Sequence, residues 1–217
     1  APPPPRAARR LPAPVPVAGV EPGGLVGRAA ELDRVEVVLD GLVAGSGGVL
    51  LVHGEPGIGK TALLRGLTRA AESRELPVVW GRCDEFEGAP AYWPWVQALR
   101  TLAERLSADV LDAALAGVGG PVATLVPDLA AGSPPSGWDA VSDPQAARFA
   151  LHDAVATFLR RVAAPRGLVV VVDDLHWADL ASLELLAFLA GQARGSRLLL
   201  AGSHRDAAAD RTPELDA

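Results

Sequence analysis

The most constraining stretch of this sequence is Gly54-Glu55-Pro56-Gly57-Ile58-Gly59-Lys60-Thr61, which reads G-x-x-x-x-G-K-T. That pattern does its chemistry only between a strand and a helix. Before it, Gly48-Val49-Leu50-Leu51-Val52-His53 is short and apolar and predicts a buried strand. After it, the run from Ala62 to Ala71 predicts a helix. In that setting the glycines let backbone N–H groups point at phosphate oxygens. The helix N-terminus adds free donors and a partial positive charge. Glu55, Pro56, Gly57, Ile58, Gly59, Lys60, Thr61 and Ala62 are therefore candidate nucleotide-binding residues. Lys60 would reach the β- and γ-phosphates, and Thr61 would hold Mg²⁺.

Basic residue usage sharpens the assignment. Lysines and arginines total 20, and Lys60 is the only lysine among them. A compact ammonium fits between phosphates where a planar guanidinium does not. The rest of the composition narrows the class. With 217 residues, 49% of them hydrophobic, the chain can bury a sizeable core. A net charge of −6 argues against binding of nucleic acid or anionic membranes by this segment itself. The single cysteine, Cys83, cannot form an internal disulfide, which suits a reducing cytoplasm. No apolar run is long enough for a transmembrane helix, and no signal peptide is visible. The absence of any methionine predicts a segment of a longer protein.

Along the chain, residues 1–22 are proline-rich and predict an extended linker. Residues 23–217 read as one α/β domain. Leu32, Val35, Val38, Leu39 and Leu42 recur at helical spacing, and Gly45-Ser46-Gly47-Gly48 stops that helix. Leu76 to Arg82 predicts a second strand. Asp84, Glu85 and Glu87 then read as a solvated acidic loop rather than metal ligands. Tyr92-Trp93-Pro94-Trp95 leads into a helix over 96–106, and the aromatic cluster is expected to pack it onto the domain. A short helix over 109–116 precedes a stretch over 117–142 that is broken by glycines and prolines and predicts an irregular insertion. Asp143-Pro144 starts the next helix, with an apolar face from Phe149, Val155, Phe158, Leu159 and Val162.

The second landmark is Leu168-Val169-Val170-Val171-Val172-Asp173-Asp174. The apolar run predicts a strand buried on both faces. Its two carboxylates stand at the carboxyl end, where open α/β sheets bind ligands. Asp173 would hold Mg²⁺ through water, and Asp174 would orient or deprotonate an attacking water. A helix is expected over 180–193. A further strand over 197–203 ends in His204-Arg205, where a cationic group can sense a γ-phosphate.

Together these residues resemble the STAND/AAA+-like P-loop ATPases. The likeness is greatest to the ATPase modules of large bacterial transcriptional regulators, the LuxR-type large ATP-binding regulators and the actinomycete antibiotic regulatory proteins among them. It is carried by Leu25-Val26-Gly27-Arg28-Ala29-Ala30-Glu31-Leu32, by Gly54 to Thr61, by Asp173-Asp174-Leu175-His176-Trp177-Ala178-Asp179 and by Ala201-Gly202-Ser203-His204-Arg205. The resemblance implies a mostly parallel P-loop NTPase sheet flanked by helices, with the 197–203 strand between the P-loop strand and the Asp173 strand. It implies that Val26, Gly27 and Arg28 border the adenine and ribose, and that Arg205 is the sensor arginine. His176 and Trp177 look like packing residues. The family's fifth core strand, helical lid and winged-helix half are not evident in this segment, so the module is expected to be truncated before its lid.

Four functions compete. A signalling ATPase would bind ATP or ADP with Mg²⁺, hydrolyse slowly, and couple nucleotide state to the conformation or assembly of a transcriptional regulator. Its partners would be other domains of that regulator and other copies of itself, with DNA reached only through domains outside this segment. A small-molecule P-loop kinase would need an acceptor pocket from residues 117–142, where no cluster of polar specificity residues is found. A GTPase would need an Asn-Lys-x-Asp motif, which a chain with Lys60 as its sole lysine does not contain. A non-catalytic interaction module would leave the intact phosphate-facing residues without a purpose.

Overall fold

The computed structural model describes residues 28–85, 89–130 and 143–205. Helix α1 (Ala29–Val43) precedes strand β1 (Gly48–Gly54), and helix α2 (Lys60–Glu72) follows the glycine loop. Strand β2 (Val78–Arg82) leads to α3 (Trp93–Arg105), α4 (Ala108–Leu115), α5 (Gly119–Leu125) and α6 (Pro144–Ala163). Strand β3 (Leu168–Asp173), helix α7 (Leu180–Ala193) and strand β4 (Leu198–Arg205) complete the described chain. All strand pairs are parallel, in the order β1-β4-β3-β2. The strand over 198–205 thus lies between the P-loop strand and the Asp173 strand, as the resemblance implies. The fold is an α/β P-loop NTPase sheet flanked by helices.

The sheet separates two apolar layers. Alternation along β3 sends Val169 and Val171 toward α1 and α2, where they meet Leu39, Leu64 and Leu67. Leu168, Val170 and Val172 face the opposite way, toward Leu99, Phe158, Leu159 and Leu189 of α3, α6 and α7. Every residue of β3 is buried, which accounts for its uninterrupted valines. Phe158 is wholly buried in the second layer. Phe158→Ala is expected to cost about 3–5 kcal/mol, read as a lowered thermal midpoint by circular dichroism.

Helix starts follow local chemistry. Asp143 caps α6 by accepting from the Gln145 N–H at 3.0 Å, with Pro144 at the first helical position. Asp179 caps α7, accepting from the Ser182 N–H at 3.0 Å and the Ser182 hydroxyl at 2.6 Å. Trp95 is buried, and its indole N–H donates to the Ser182 carbonyl at 3.0 Å, so the aromatic cluster does pack α3 onto the domain. Gly81 permits that packing, because a Cβ there would stand 2.0 Å from the Pro94 carbonyl oxygen.

Three expectations are corrected. The stretch read as irregular from 117 onward is helical over Gly119–Leu125, with a 3₁₀ turn over Pro127–Ala130. Gly119, Gly120 and Pro121 occupy the first helical turn, where a missing N–H costs nothing, while Val122 and Val126 anchor the segment in the core. Residues 131–142 of that expectation lie outside the described residues. Phe149 is 62% exposed and so is not part of the buried face of α6. It stands near the helix start, where Phe188 meets it edge-on at a centroid distance of 5.7 Å. Strand β4 continues past Ser203 to Arg205, because His53 and Gly54 of β1 pair with its last two residues. The linker expected over 1–22 also lies outside the described residues. Among the described residues, no single helix is long and apolar enough to cross a membrane.

Candidate functional site

The carboxyl ends of the strands form one edge. The glycine loop leaves β1 there, and register aligns Gly54 with Arg205 and Arg82 with Asp173. Gly57 and Gly59 have φ of +79° and +95°, a region that side-chain-bearing residues rarely adopt. Gly59 is the N-cap of α2, so the amides of the first turn, at Lys60, Thr61 and Ala62, have no helical acceptor. Ala62 is exposed beside them. Glu55, Pro56, Gly57 and Ile58 form the exposed rim of the loop.

Lys60 is 7% exposed, and its amine donates to the carbonyls of Gly54 at 2.8 Å and Glu55 at 2.9 Å. An ammonium has three donors, and these two bonds hold it inside the loop. The Thr61 hydroxyl donates to Asp173, at 3.0 Å from Oδ2 and 3.4 Å from Oδ1. The two residues expected at Mg²⁺ are thereby brought into contact from opposite ends of the sequence. Their oxygens suit a hard divalent cation, and the glycine loop with its free amides suits a polyphosphate. The residues present therefore fit a magnesium nucleotide.

Asp173 is 2% exposed and is held on its far side by Ser203. The Ser203 hydroxyl donates to Asp173 Oδ1 at 2.5 Å and accepts from the Asp174 N–H at 3.0 Å. The Asp174 N–H also lies 3.2 Å from Asp173 Oδ1. Asp174 itself takes a left-handed conformation with φ of 60°, which ends the strand and turns its carboxylate out of the β3 line. That carboxylate meets the guanidinium of Arg82 at 3.2 Å. Nearby, the buried Cys83 thiol is pushed up to about 12, first by burial and then by the carboxylates of Asp179, Asp174, Asp173 and Asp84.

Sequence reasoning missed Ser203 and Arg82 as site residues. Ser203 was visible as a hydroxyl closing an apolar strand, and only the strand order sets it beside Asp173. Because Ser203 is fully buried, Ser203→Ala deprives a buried carboxylate of its donor. The expected cost is about 1–3 kcal/mol, measured by urea denaturation.

The other expected site residues are placed as follows. Arg28 donates from its guanidinium to the Ile58 carbonyl and so lies against the loop tip. Val26 and Gly27 lie outside the described residues. Arg205 is at the sheet edge, with its guanidinium carbon 5.6 Å from the Trp177 ring centroid. Asp84 and Glu85 are exposed, and Glu87 lies outside the described residues.

Comparison with known proteins places the chain in a family. A family model described as the AAA ATPase domain matches residues 24–201. A protein of Rhizobium meliloti (strain 1021), described as uncharacterized, is 30% identical over 175 residues, or 76% of this chain. The chain spans 17% of the length of that relative. The chain is also similar to a chain from the structure of Drosophila ORC bound to DNA, with a TM-score of 0.39, 16% identity and 86% of each chain covered.

Proposed function

The chain belongs to the AAA ATPase domain family, and from that premise we propose that it is a nucleotide switch, binding ATP or ADP with Mg²⁺ and hydrolysing ATP slowly. The observation that carries this reading is the contact of Thr61 with Asp173 at 3.0 Å, next in the chain to a buried Lys60 whose amine is held by the loop carbonyls. Lys60 and the loop amides bind the phosphate chain, with Glu55 to Ala62 forming the cradle. Arg28, with Val26 and Gly27, borders the adenosine end. Thr61 and Asp173 would hold the magnesium ion, which supplies charge neutralisation at the β- and γ-phosphate oxygens. Asp174 orients a water toward the γ-phosphate and takes its proton. Arg205 senses the presence of that phosphate.

In this reading hydrolysis resets a switch rather than feeding a metabolic pathway. The string Asp173-Asp174-Leu175-His176-Trp177-Ala178-Asp179 supports placement in a large bacterial transcriptional regulator. Partners are then other domains of the same regulator and other copies of the module, with DNA engaged only through domains outside this segment. Phosphate release by the purified chain with Mg·ATP and no added acceptor tests the proposal. Slow release is the expected result. Turnover that depends absolutely on a small-molecule hydroxyl would replace the switch with a kinase.

A further inference from the structure

We propose that Trp177 is a positioning residue for Arg205: its ring holds the guanidinium when ADP fills the nucleotide site and yields it to the γ-phosphate when ATP does. The proposal rests on the nucleotide-switch reading above and assigns that site its sensing device.

Three observations converge on it. The guanidinium carbon of Arg205 lies 5.6 Å from the Trp177 ring centroid, within the range of a cation–π contact, and indole is the best host for one. Arg205 pairs in register with Gly54, whose carbonyl accepts from the Lys60 amine at 2.8 Å. The backbone of Arg205 therefore stands beside the loop that would cradle the phosphates. Trp177 in turn closes the 3₁₀ turn that directly follows the two carboxylates, and its backbone N–H donates to the Asp174 carbonyl at 2.9 Å. One residue, by its ring and its backbone, thus links the cation at the end of β4 to the turn that carries Asp174.

The contact is suited to exchange. Trp177 is 38% exposed, and a cation–π contact in so wet a setting is worth a factor of about two to five. A guanidinium–phosphate pair is charge-assisted and can be bidentate, so a γ-phosphate within reach outcompetes the ring. ADP offers no such group and leaves the guanidinium on the ring. Trp177 also borders a cavity of about 150 Å³ shared with Cys83, Asp84, Trp93 and Ala178, which gives the indole room to shift once Arg205 leaves. Sensing then reaches the Asp174 turn through the backbone bond to Trp177.

The test uses the full chain labelled with 5-fluorotryptophan, whose five indoles give separate ¹⁹F signals. Trp177→Phe assigns the Trp177 signal. That signal is expected to move with Mg²⁺ and a non-hydrolysable β,γ-methylene ATP, and to stay put with ADP. In Arg205→Ala it is displaced before any nucleotide is added and moves no further with the analogue. Trp177→Leu is expected to raise the preference for the analogue over ADP by about two- to fivefold, and Trp177→Phe to change it less. If Trp177→Leu fails to fold, the Arg205→Ala spectra decide. Binding of the analogue with an unmoved Trp177 signal, or the same movement with ADP, overturns this proposal and leaves the nucleotide reading intact. Failure of the parent chain to bind either nucleotide overturns both.

Discussion

Replacing Lys60 with alanine is expected to abolish nucleotide binding, lowering affinity for both ATP and ADP by at least about a hundredfold, since each hydrogen bond to a charged group is worth about 1.5–3 kcal/mol. Lys60 is 7% exposed, and its amine is already directed into the loop by the carbonyls of Gly54 and Glu55. No other lysine exists in the chain to substitute for it. The loop conformation does not depend on the amine alone, because the left-handed glycines and the helix start are backbone features. Titration of the folded variant with a fluorescent ATP analogue checks the result. Affinity equal to that of the parent would reject the loop as the nucleotide site.

The second large effect falls on turnover alone. Asp174→Asn keeps the side-chain shape but removes the basic carboxylate. ATP binding is expected to persist while hydrolysis drops by about 10²- to 10⁴-fold, the range for loss of a positioned proton acceptor. The backbone geometry should survive, because the left-handed turn at Asp174 suits asparagine equally well. The N–H bonds from Asp174 to Ser203 and Asp173 do not involve the altered side chain. Single-turnover phosphate release at saturating ATP is the appropriate measurement. Hydrolysis at the parental rate would strip Asp174 of its role and leave its ion pair with Arg82 as its only described side-chain contact.

Much of this architecture is legible in one dimension. The P-loop pattern places a strand before it and a helix after it, and both are found within a residue or two of expectation, although β1 is not buried as expected: Val52 alone is buried there, and Val49 and Leu51 are exposed. The valine run names a strand covered on both faces, and β3 is buried throughout. Thr61 and Asp173, each a candidate magnesium ligand in the sequence, lie 3.0 Å apart. What escaped notice depends on neighbours that sequence spacing does not encode. Ser203 and Arg82 matter only because β4 and β2 flank β3, and no local pattern reports strand order. Gly119-Gly120-Pro121 looked like a break because glycine and proline are weak helix formers in general, although proline is tolerated in a first turn. Phe149 fits the apolar count of its helix, yet it is 62% exposed and meets the ring of Phe188 edge-on.

The strand order also dictates when such a chain can become functional during its synthesis. Among the described residues β1 has β4 as its only strand partner, and β4 is the last of the described strands to leave the ribosome. A nascent chain therefore carries its phosphate loop on an unpaired apolar strand while all the intervening helices are being made. Half-exposed Val49 and Leu51 make that waiting strand a natural client for a holdase chaperone. The wait ends when the segment through Arg205 emerges and slots between β1 and β3, so the residue read as the phosphate sensor also closes the sheet.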